Sequence, residues 1–513
     1  MRDLFKTCDV RGVYGVDLTE ADARRIGAAL AGWLRSAPLP DAAGRRRIAV
    51  GSDVRAGGHA LKAALLEGIR DTGIAAVDLG TLPTPMLHFG AKVLRADAAV
   101  MVTGGHSPPE YNGIKFLCRG WPLMPGDLAT LADLAEDEAT LLSGGTVETA
   151  DVRHDYQNWL LGAFAGRLPS LHVVVDPGNG AWAGSAGRLM TRLGLRVSAI
   201  SDRPDGRFPD RPADSAHPDT LRRLGEAVTS AGADLGIAFD ADGDRVNLCD
   251  EAGTPVGGET VGVLLLRGLL GDGKLAAEAA RNPPPVLQRP WIRRPPPGAA
   301  VADRAGSDSG NRYAAAAVRI VCDIKSGRAL TEEVRRLGGL PVMEKTANTF
   351  LRHRVRSLSA PLGIAVAGHY YWGELDGGDD GLYSALRLLS DPSRAGRPLS
   401  KWAADVPRLP STPELRVPCG AGRAEAICES LALVFGGEAE VSRVDGVRLD
   451  FRNGWALLRP SATESSLTVR FEGVDPAGLD AVVREVGEQL PREVRKPLND
   501  LIAASAGRPP QSP

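Results

Sequence analysis

Three carboxylates at alternating positions, Asp240-Ala241-Asp242-Gly243-Asp244, with Arg245 next in line, follow the apolar run Leu235–Phe239. A small residue and a glycine between the acids let such a loop fold around one hard cation. Mg²⁺ takes oxygen ligands in octahedral geometry and keeps positions for water or phosphate. A guanidinium beside that cation is placed to grip a phosphoryl oxygen. A solvated acidic turn is the plain alternative, and the position at a strand's carboxyl end favours the metal.

Three further stretches carry related chemistry. Thr103 to Phe116, TGGHSPPEYNGIKF, packs glycines, His106, a Pro-Pro pair, an acid, Asn-Gly and Lys115 behind the apolar run Ala98–Val102. A strand running into such a loop presents backbone N–H groups and a few polar side chains at a sheet edge. The segment Leu458 to Ser466 brings Arg459 together with hydroxyls that include Ser461 and Thr463. A bidentate cation with neutral donors suits a phosphate. Arg11, in Asp9-Val10-Arg11-Gly12, and His369, in Ala367-Gly368-His369-Tyr370, are ambiguous by themselves; a lone histidine is more often structural.

The elements that must position these loops alternate. Strands are predicted at Arg47–Gly51, Ala75–Leu79 and Ala98–Val102, with helices at Ala60–Thr72 and Met86–Leu94 between them. This βαβαβ pattern predicts a mostly parallel sheet with helices on both faces. The pattern restarts at the strand His172–Asp176 and closes with the helix Asp219–Ala231 and the strand Leu235–Phe239. A third unit holds a helix near Glu259–Leu270, strands at Arg319–Cys322 and Gly363–Val366, and a helix at Gly381–Leu389. The last hundred residues instead predict a helix at Ala421–Phe435 and short strands at Gly446–Phe451, Trp455–Arg459 and Leu467–Glu472. A helix at Pro476–Gln489 follows, which makes an α+β unit. The expected fold class is α/β: three related doubly wound domains plus a C-terminal α+β domain around a central cleft. Boundaries are expected at 1–150, 151–257, 258–395 and 405–504. An irregular insertion rich in Pro, Ala and Arg is expected at 271–317, and a disordered tail at 505–513.

Composition bounds the partners. The net charge of −2 calls for neither nucleic acid nor an anionic membrane. No run of about 18 apolar residues is present, and the N-terminus lacks the apolar core of a signal peptide. The six cysteines form no C-x-x-C pair, which predicts reduced thiols and a cytoplasmic location.

Taken together, FKTCDVRGVYG, the loop at Thr103, GIAFDADGDR and RPSATESSL resemble the α-D-phosphohexomutases, the phosphoglucomutases and phosphomannomutases, in family order. DLTEADARRIG and GSDVRAGG are similar too. The resemblance implies a phosphoserine in the first domain that gives its phosphate to a sugar monophosphate through a bisphosphate intermediate. It implies Mg²⁺ on Asp240, Asp242 and Asp244, and Arg245 beside the transferring group. Lys115, His106 and Arg11 would surround the reacting hydroxyl, with Lys115 as a candidate proton shuttle. Arg459, Ser461 and Thr463 would bind the phosphate that is not reacting, while Lys325 and His369 would contact the substrate.

The sequence also departs from that pattern. The family's T-A-S-H-N-P or T-G-S-H-N-P reads Thr103-Gly104-Gly105-His106-Ser107-Pro108, so the serine falls on Gly105. Ser107 and His106 are the nearby alternatives as nucleophile. The family's G-E-M-S-G-H falls on Ile364 to His369, which puts Ala365 and Ala367 where the glutamate and serine would hold sugar hydroxyls. Its T-G-H-S reads Thr346-Ala347-Asn348-Thr349. Two readings follow. One is a phosphohexomutase interconverting hexose 1-phosphate and 6-phosphate, of glucose or mannose, by Mg²⁺-dependent transfer. The other is a non-catalytic sugar-phosphate-binding or regulatory relative. A third, weaker reading is a phosphatase using metal-bound water. In each, a hexose phosphate is the expected partner, nucleic acid and membrane are not, and the chain is a monomer or homodimer.

Overall fold

The computed structural model describes residues 1–37, 46–137, 144–275, 277, 317–394, 396–420, 422–461 and 466–505. Nearly all of the expected insertion, the tail from 506 and Thr463 fall outside these residues.

Three sheets repeat one plan. The first contains β1 (Val10–Val13), β2 (Arg47–Ser52), β3 (Ala75–Thr81), β4 (Ala98–Val102), β5 (Tyr111–Cys118), β6 (Trp121–Pro122) and β7 (Val147–Thr149). Its order is β1-β5-β4-β2-β3-β7, with β6 paired to β5. The second holds β8 (His172–Asp176), β9 (Arg196–Ala199), β10 (Leu235–Phe239), β11 (Val246–Asp250) and β12 (Pro255–Val256), in the order β12-β11-β10-β8-β9. The third holds β13 (Val318–Asp323), β14 (Gly339–Glu344), β15 (Leu362–Ala365), β16 (His369–Trp372) and β17 (Gly378–Asp379), in the order β14-β13-β15-β16-β17.

In each sheet a run of parallel strands, four in the first and three in each of the others, ends beside a strand that turns back antiparallel. The hairpins are β4 with β5, β10 with β11, and β15 with β16. The sheets are therefore mixed, where alternation of strand and helix predicted mostly parallel pairing. The stretch from Thr103 is also shorter as a loop than the sequence suggested, because Tyr111–Cys118 is β5, bonded on both sides to β1 and β4. Asn112-Gly113 reads as a turn signal. Here the glycine serves close backbone approach: a Cβ on Gly113 would lie 2.4 Å from the Val10 carbonyl oxygen.

The fourth unit is antiparallel throughout: β18 (Leu415–Pro418), β19 (Glu440–Ser442), β20 (Val447–Phe451), β21 (Gly454–Pro460) and β22 (Ser466–Gly473), in the order β18-β22-β21-β20-β19. The helices Arg423–Val434 and Pro476–Gln489 cover it. A further helix, Arg492–Ser505, hidden in the sequence because Pro497 interrupts it, buries Val494 and Leu498 in the same core.

Elsewhere the sequence missed the helix Glu20–Ser36, although Thr19 and Asp22 form a capping box at its start. The largest core runs without a break from Leu79 and Met86 of the first unit through Trp182 and Phe239 of the second to Tyr370 and Trp402 of the third. That shared core holds the three hairpin turns in fixed relation. Among the described residues no helix is long and apolar enough to cross a membrane, and all six cysteines are free.

Candidate functional site

The three hairpins bring their turns together. Asp240, Asp242 and Asp244, between β10 and β11, are all buried, and one carboxylate oxygen from each lies within 4.8 Å of the others. Asp240 uses Oδ1 to accept from the backbone N–H groups of Gly243 and Arg245, both at 3.1 Å. Asp242 uses Oδ2 to accept from Thr84 Oγ1 and from Lys115 Nζ, both at 2.7 Å. Asp240 Oδ2 and Asp242 Oδ1 are buried with no hydrogen-bond partner. Burial and the neighbouring Asp244 and Asp242 push the Asp240 carboxyl well above the ordinary range. Buried carboxylates that crowd one another and keep free lone pairs are a donor set for a hard cation, so these residues fit Mg²⁺.

Lys115, on β5, crosses from the first sheet to this loop. Its Nζ lies 2.7 Å from Asp242 Oδ2 and 2.9 Å from Asp244 Oδ2. Burial works against its charge, but the two aspartates outweigh burial and hold its pKa above the ordinary lysine value.

Gly105 sits at the centre of the first loop with φ +55°. A Cβ built there would lie 3.8 Å from Lys115 Nζ and 3.9 Å from Asp242 Oδ1, with nothing closer. A side chain at 105 would point at the carboxylate cluster. The loop is clamped from behind by Arg55, whose side chain is fully buried. Its Nη1 donates to the carbonyls of Pro108 (2.6 Å) and Tyr111 (3.0 Å), and its Nη2 to those of Gly105 (2.6 Å) and Ser107 (2.5 Å). Asp53 accepts from Thr103 Oγ1 at 2.6 Å, and Thr103 Oγ1 in turn accepts from Gly105 N at 2.8 Å. Burial pushes Asp53 up to about 6, against the pull of Arg55, and pushes Arg55 down. Burying this pair is costly, and the carbonyls it organises are what it serves. The sequence trace of this clamp is Gly51 to Gly58, GSDVRAGG, which by itself points to no role.

Histidines and arginines bridge the three units. Arg245 Nε lies 2.8 Å from His369 Nε2, and Arg245 Nη2 lies 2.6 Å from His106 Nδ1. A guanidinium only donates, so both imidazole nitrogens present lone pairs to it. The Arg245 charge and burial hold His106 well below its ordinary pKa. His369 Nδ1 and Asn348 Nδ2 both lie 2.6 Å from Asp379 Oδ2. Arg11, on β1, pairs with Asp9 at 2.5 Å and donates to Ser107 Oγ at 2.8 Å.

A second cluster lies on the seam between the third and fourth units. Lys325 Nζ is 3.4 Å from Glu414, and Arg459 Nη2 is 2.7 Å from Asp445. Burial raises the Glu414 pKa, but Lys325 and Arg459 outweigh it and hold the carboxyl below its ordinary value, with a smaller pull from Arg470. Arg470, on β22, was missed by sequence reasoning. Ser461 N donates to Ser466 O at 2.9 Å. The structure thus gathers Arg11, His106, Lys115, Arg245, His369 and the three aspartates in one network, and Lys325 and Arg459 about Glu414 in another, while Ser461 bonds through its backbone to Ser466.

Profiles of the phosphoglucomutase/phosphomannomutase alpha/beta/alpha domains I, II and III match residues 2–141, 156–253 and 299–409, and the C-terminal domain matches 414–489. The phosphomannomutase/phosphoglucomutase of Pseudomonas aeruginosa PAO1 is 32% identical over 489 residues, covering 95% of each chain. The phosphoglucomutase of Neisseria meningitidis serogroup A is 30% identical over 487 residues, covering 94% of this chain and 95% of that one. The crystal structure of a phosphoglucomutase/phosphomannomutase family protein from Burkholderia thailandensis superposes with a TM-score of 0.77 at 28% identity, covering 100% of this chain and 99% of the other. This chain therefore belongs to the α-D-phosphohexomutase family, with all four of its domains present.

Proposed function

We propose that this protein binds a hexose phosphate, of glucose or mannose, at a phosphohexomutase-type site, and that residue 105 carries no phosphoryl group. The observation behind this is position 105. Its backbone aims at Lys115 and Asp242, and the residue there has no side chain. Ser107 lies two positions further along the loop, with its Oγ accepting from Arg11, so its hydroxyl is displaced from the place residue 105 aims at. The chain is then a sugar-phosphate-binding relative of the mutases, a monomer or homodimer in the cytoplasm, with boundaries near 150, 257 and 405.

In this reading Asp240, Asp242 and Asp244 hold Mg²⁺. Mg²⁺ bound there neutralises charge on phosphoryl oxygens. Arg245 leaves its two histidine acceptors to grip a phosphoryl oxygen, while His106, Lys115 and Arg11 face the hydroxyl next to it. Arg459, Ser461 and Thr463 take the distal phosphate, and Lys325 and His369 contact the sugar. Ala365 and Ala367 leave two sugar hydroxyls without partners, which weakens discrimination between sugars.

A second reading keeps the same aspartate donor set, with its two unpartnered oxygens, and retains phosphoryl transfer with an altered acceptor. The deciding experiment is intact-mass measurement after incubation with glucose 1,6-bisphosphate, read beside a mutase assay. We expect no added phosphoryl group and no conversion of the 1-phosphate to the 6-phosphate, with hexose phosphate and Mg²⁺ still binding in calorimetry. A covalent adduct with turnover would overturn the proposal in favour of the mutase.

A further inference from the structure

Thr84 opens the helix Thr84–Val93 of the first domain, and it is 1% exposed. Its Oγ1 donates to Asp242 Oδ2 at 2.7 Å, and its backbone N–H donates to the Asp242 carbonyl at 2.9 Å. The residues before and after it are Pro83 and Pro85. Pro83 offers no capping side chain, so the helix makes no side-chain cap of its own. The first free N–H of this helix is spent on the other domain's acidic loop.

We propose that Thr84 is a positioning residue for Asp242, fixing the orientation in which its carboxylate presents one unpartnered oxygen to the cation site. The inference rests on reading Asp240, Asp242 and Asp244 as that site. The two oxygens of Asp242 are treated unequally. Oδ2 receives two donors, the Thr84 hydroxyl and Lys115 Nζ. Oδ1 is buried without a partner and lies 3.9 Å from a Cβ placed at residue 105. Tilting the carboxylate out of this orientation would break both bonds to the oxygen that accepts them.

The two donors differ in stiffness. Lys115 has a long flexible stem and also reaches Asp244 at 2.9 Å, so it can follow the carboxylate. Thr84 cannot, because its backbone is pinned to the same residue and its helix packs into the core through Met86 and Leu87. The hydroxyl is thus the fixed reference that keeps Oδ1 available as a metal ligand. Outer partners of this kind typically tune metal affinity by about 10- to 100-fold. The contact spans 158 residues of sequence and joins two domains, so neither segment advertises it.

The test is calorimetric titration of the full chain with Mg²⁺ alone, repeated with Mn²⁺ followed by electron paramagnetic resonance. Thr84→Val removes the hydroxyl at constant shape, Thr84→Ser keeps it, and Thr84→Ala serves if the valine is not accommodated. Thermal unfolding in EDTA checks that each variant folds. The proposal expects Thr84→Val to weaken Mg²⁺ by roughly tenfold or more and Thr84→Ser to stay within about threefold of the parent. Equal affinity in parent and Thr84→Val overturns the positioning role while leaving the metal site standing. Equal losses in the Ser and Val variants overturn it as well, since the hydroxyl would then not be the cause. A folded parent that binds neither ion overturns the metal reading, and this proposal with it.

Discussion

The turn between β10 and β11 and the turn between β15 and β16 hold the same place in two copies of one topology, yet their chemistry differs. The first is packed with buried carboxylates, two of whose oxygens have no hydrogen-bond partner. The second is short, with Ala365 and Ala367 flanking Val366. The polar groups near it, His369 and Asn348, converge on one oxygen of Asp379. The repeated hairpin supplies a place in the cleft and nothing more. What a turn can bind depends on which side chains keep unsatisfied capacity there. The first turn keeps two unsatisfied oxygens on its own carboxylates, whereas the second has no acidic side chain of its own, and an unsatisfied carboxylate oxygen near it belongs to Asp379.

This contrast can be broken at several points. The largest effect is expected behind the first loop. Arg55→Ala would leave four carbonyls and Asp53 buried without their cation, costing about 3–5 kcal/mol in denaturant unfolding. Next comes Asp242→Ala, which should weaken Mg²⁺ binding by more than about 100-fold in calorimetry, beyond the range of an outer partner. Retained affinity would show that the aspartate turn is no more a ligand site than the alanine turn.

Gly105→Ser places a side chain in the left-handed region at φ +55°. It should cost about 1–2 kcal/mol of stability. It should also gain one phosphoryl group from glucose 1,6-bisphosphate, which the parent does not gain; mass spectrometry decides. The alanine turn can be sharpened in the same way. Ala365→Glu with Ala367→Ser should tighten hexose phosphate by about tenfold, the worth of one or two net hydrogen bonds. Unchanged affinity would mean that this turn does not face the sugar. The smallest effect concerns Ala347, which sits at φ +152° where the family motif T-G-H-S has glycine. Ala347→Gly should raise stability by about 1 kcal/mol, measured by thermal unfolding.

Much of this molecule was legible as sequence because its functional groups sit on short loops at strand ends. Asp240 to Arg245 directly follow a five-residue apolar strand, and Thr103 to Pro108 follow another. The strands were legible for the same reason, since apolar runs bounded by turn residues are local signals. Tyr111 to Phe116 reads as loop in the sequence because its Asn-Gly pair mimics a turn, although the glycine answers a neighbouring strand. The helix Arg492–Ser505 was hidden by a proline that its burial against the fourth core overrides.

The sequence by itself determined the family, the order of its four loops, the acidic donor set and the absence of a side chain at residue 105. These are properties of contiguous residues, and their chemistry does not depend on distant parts of the chain. Only the tertiary structure decided what those residues meet. Lys115 reaches Asp242 across 127 positions, Arg55 holds the carbonyl of Gly105 across 50, and Thr84 turns Asp242 across 158. The physical reason is that a buried polar group must find its partner wherever the packed domains bring one. Three sheets sharing one core, and not any local pattern, brought these groups together.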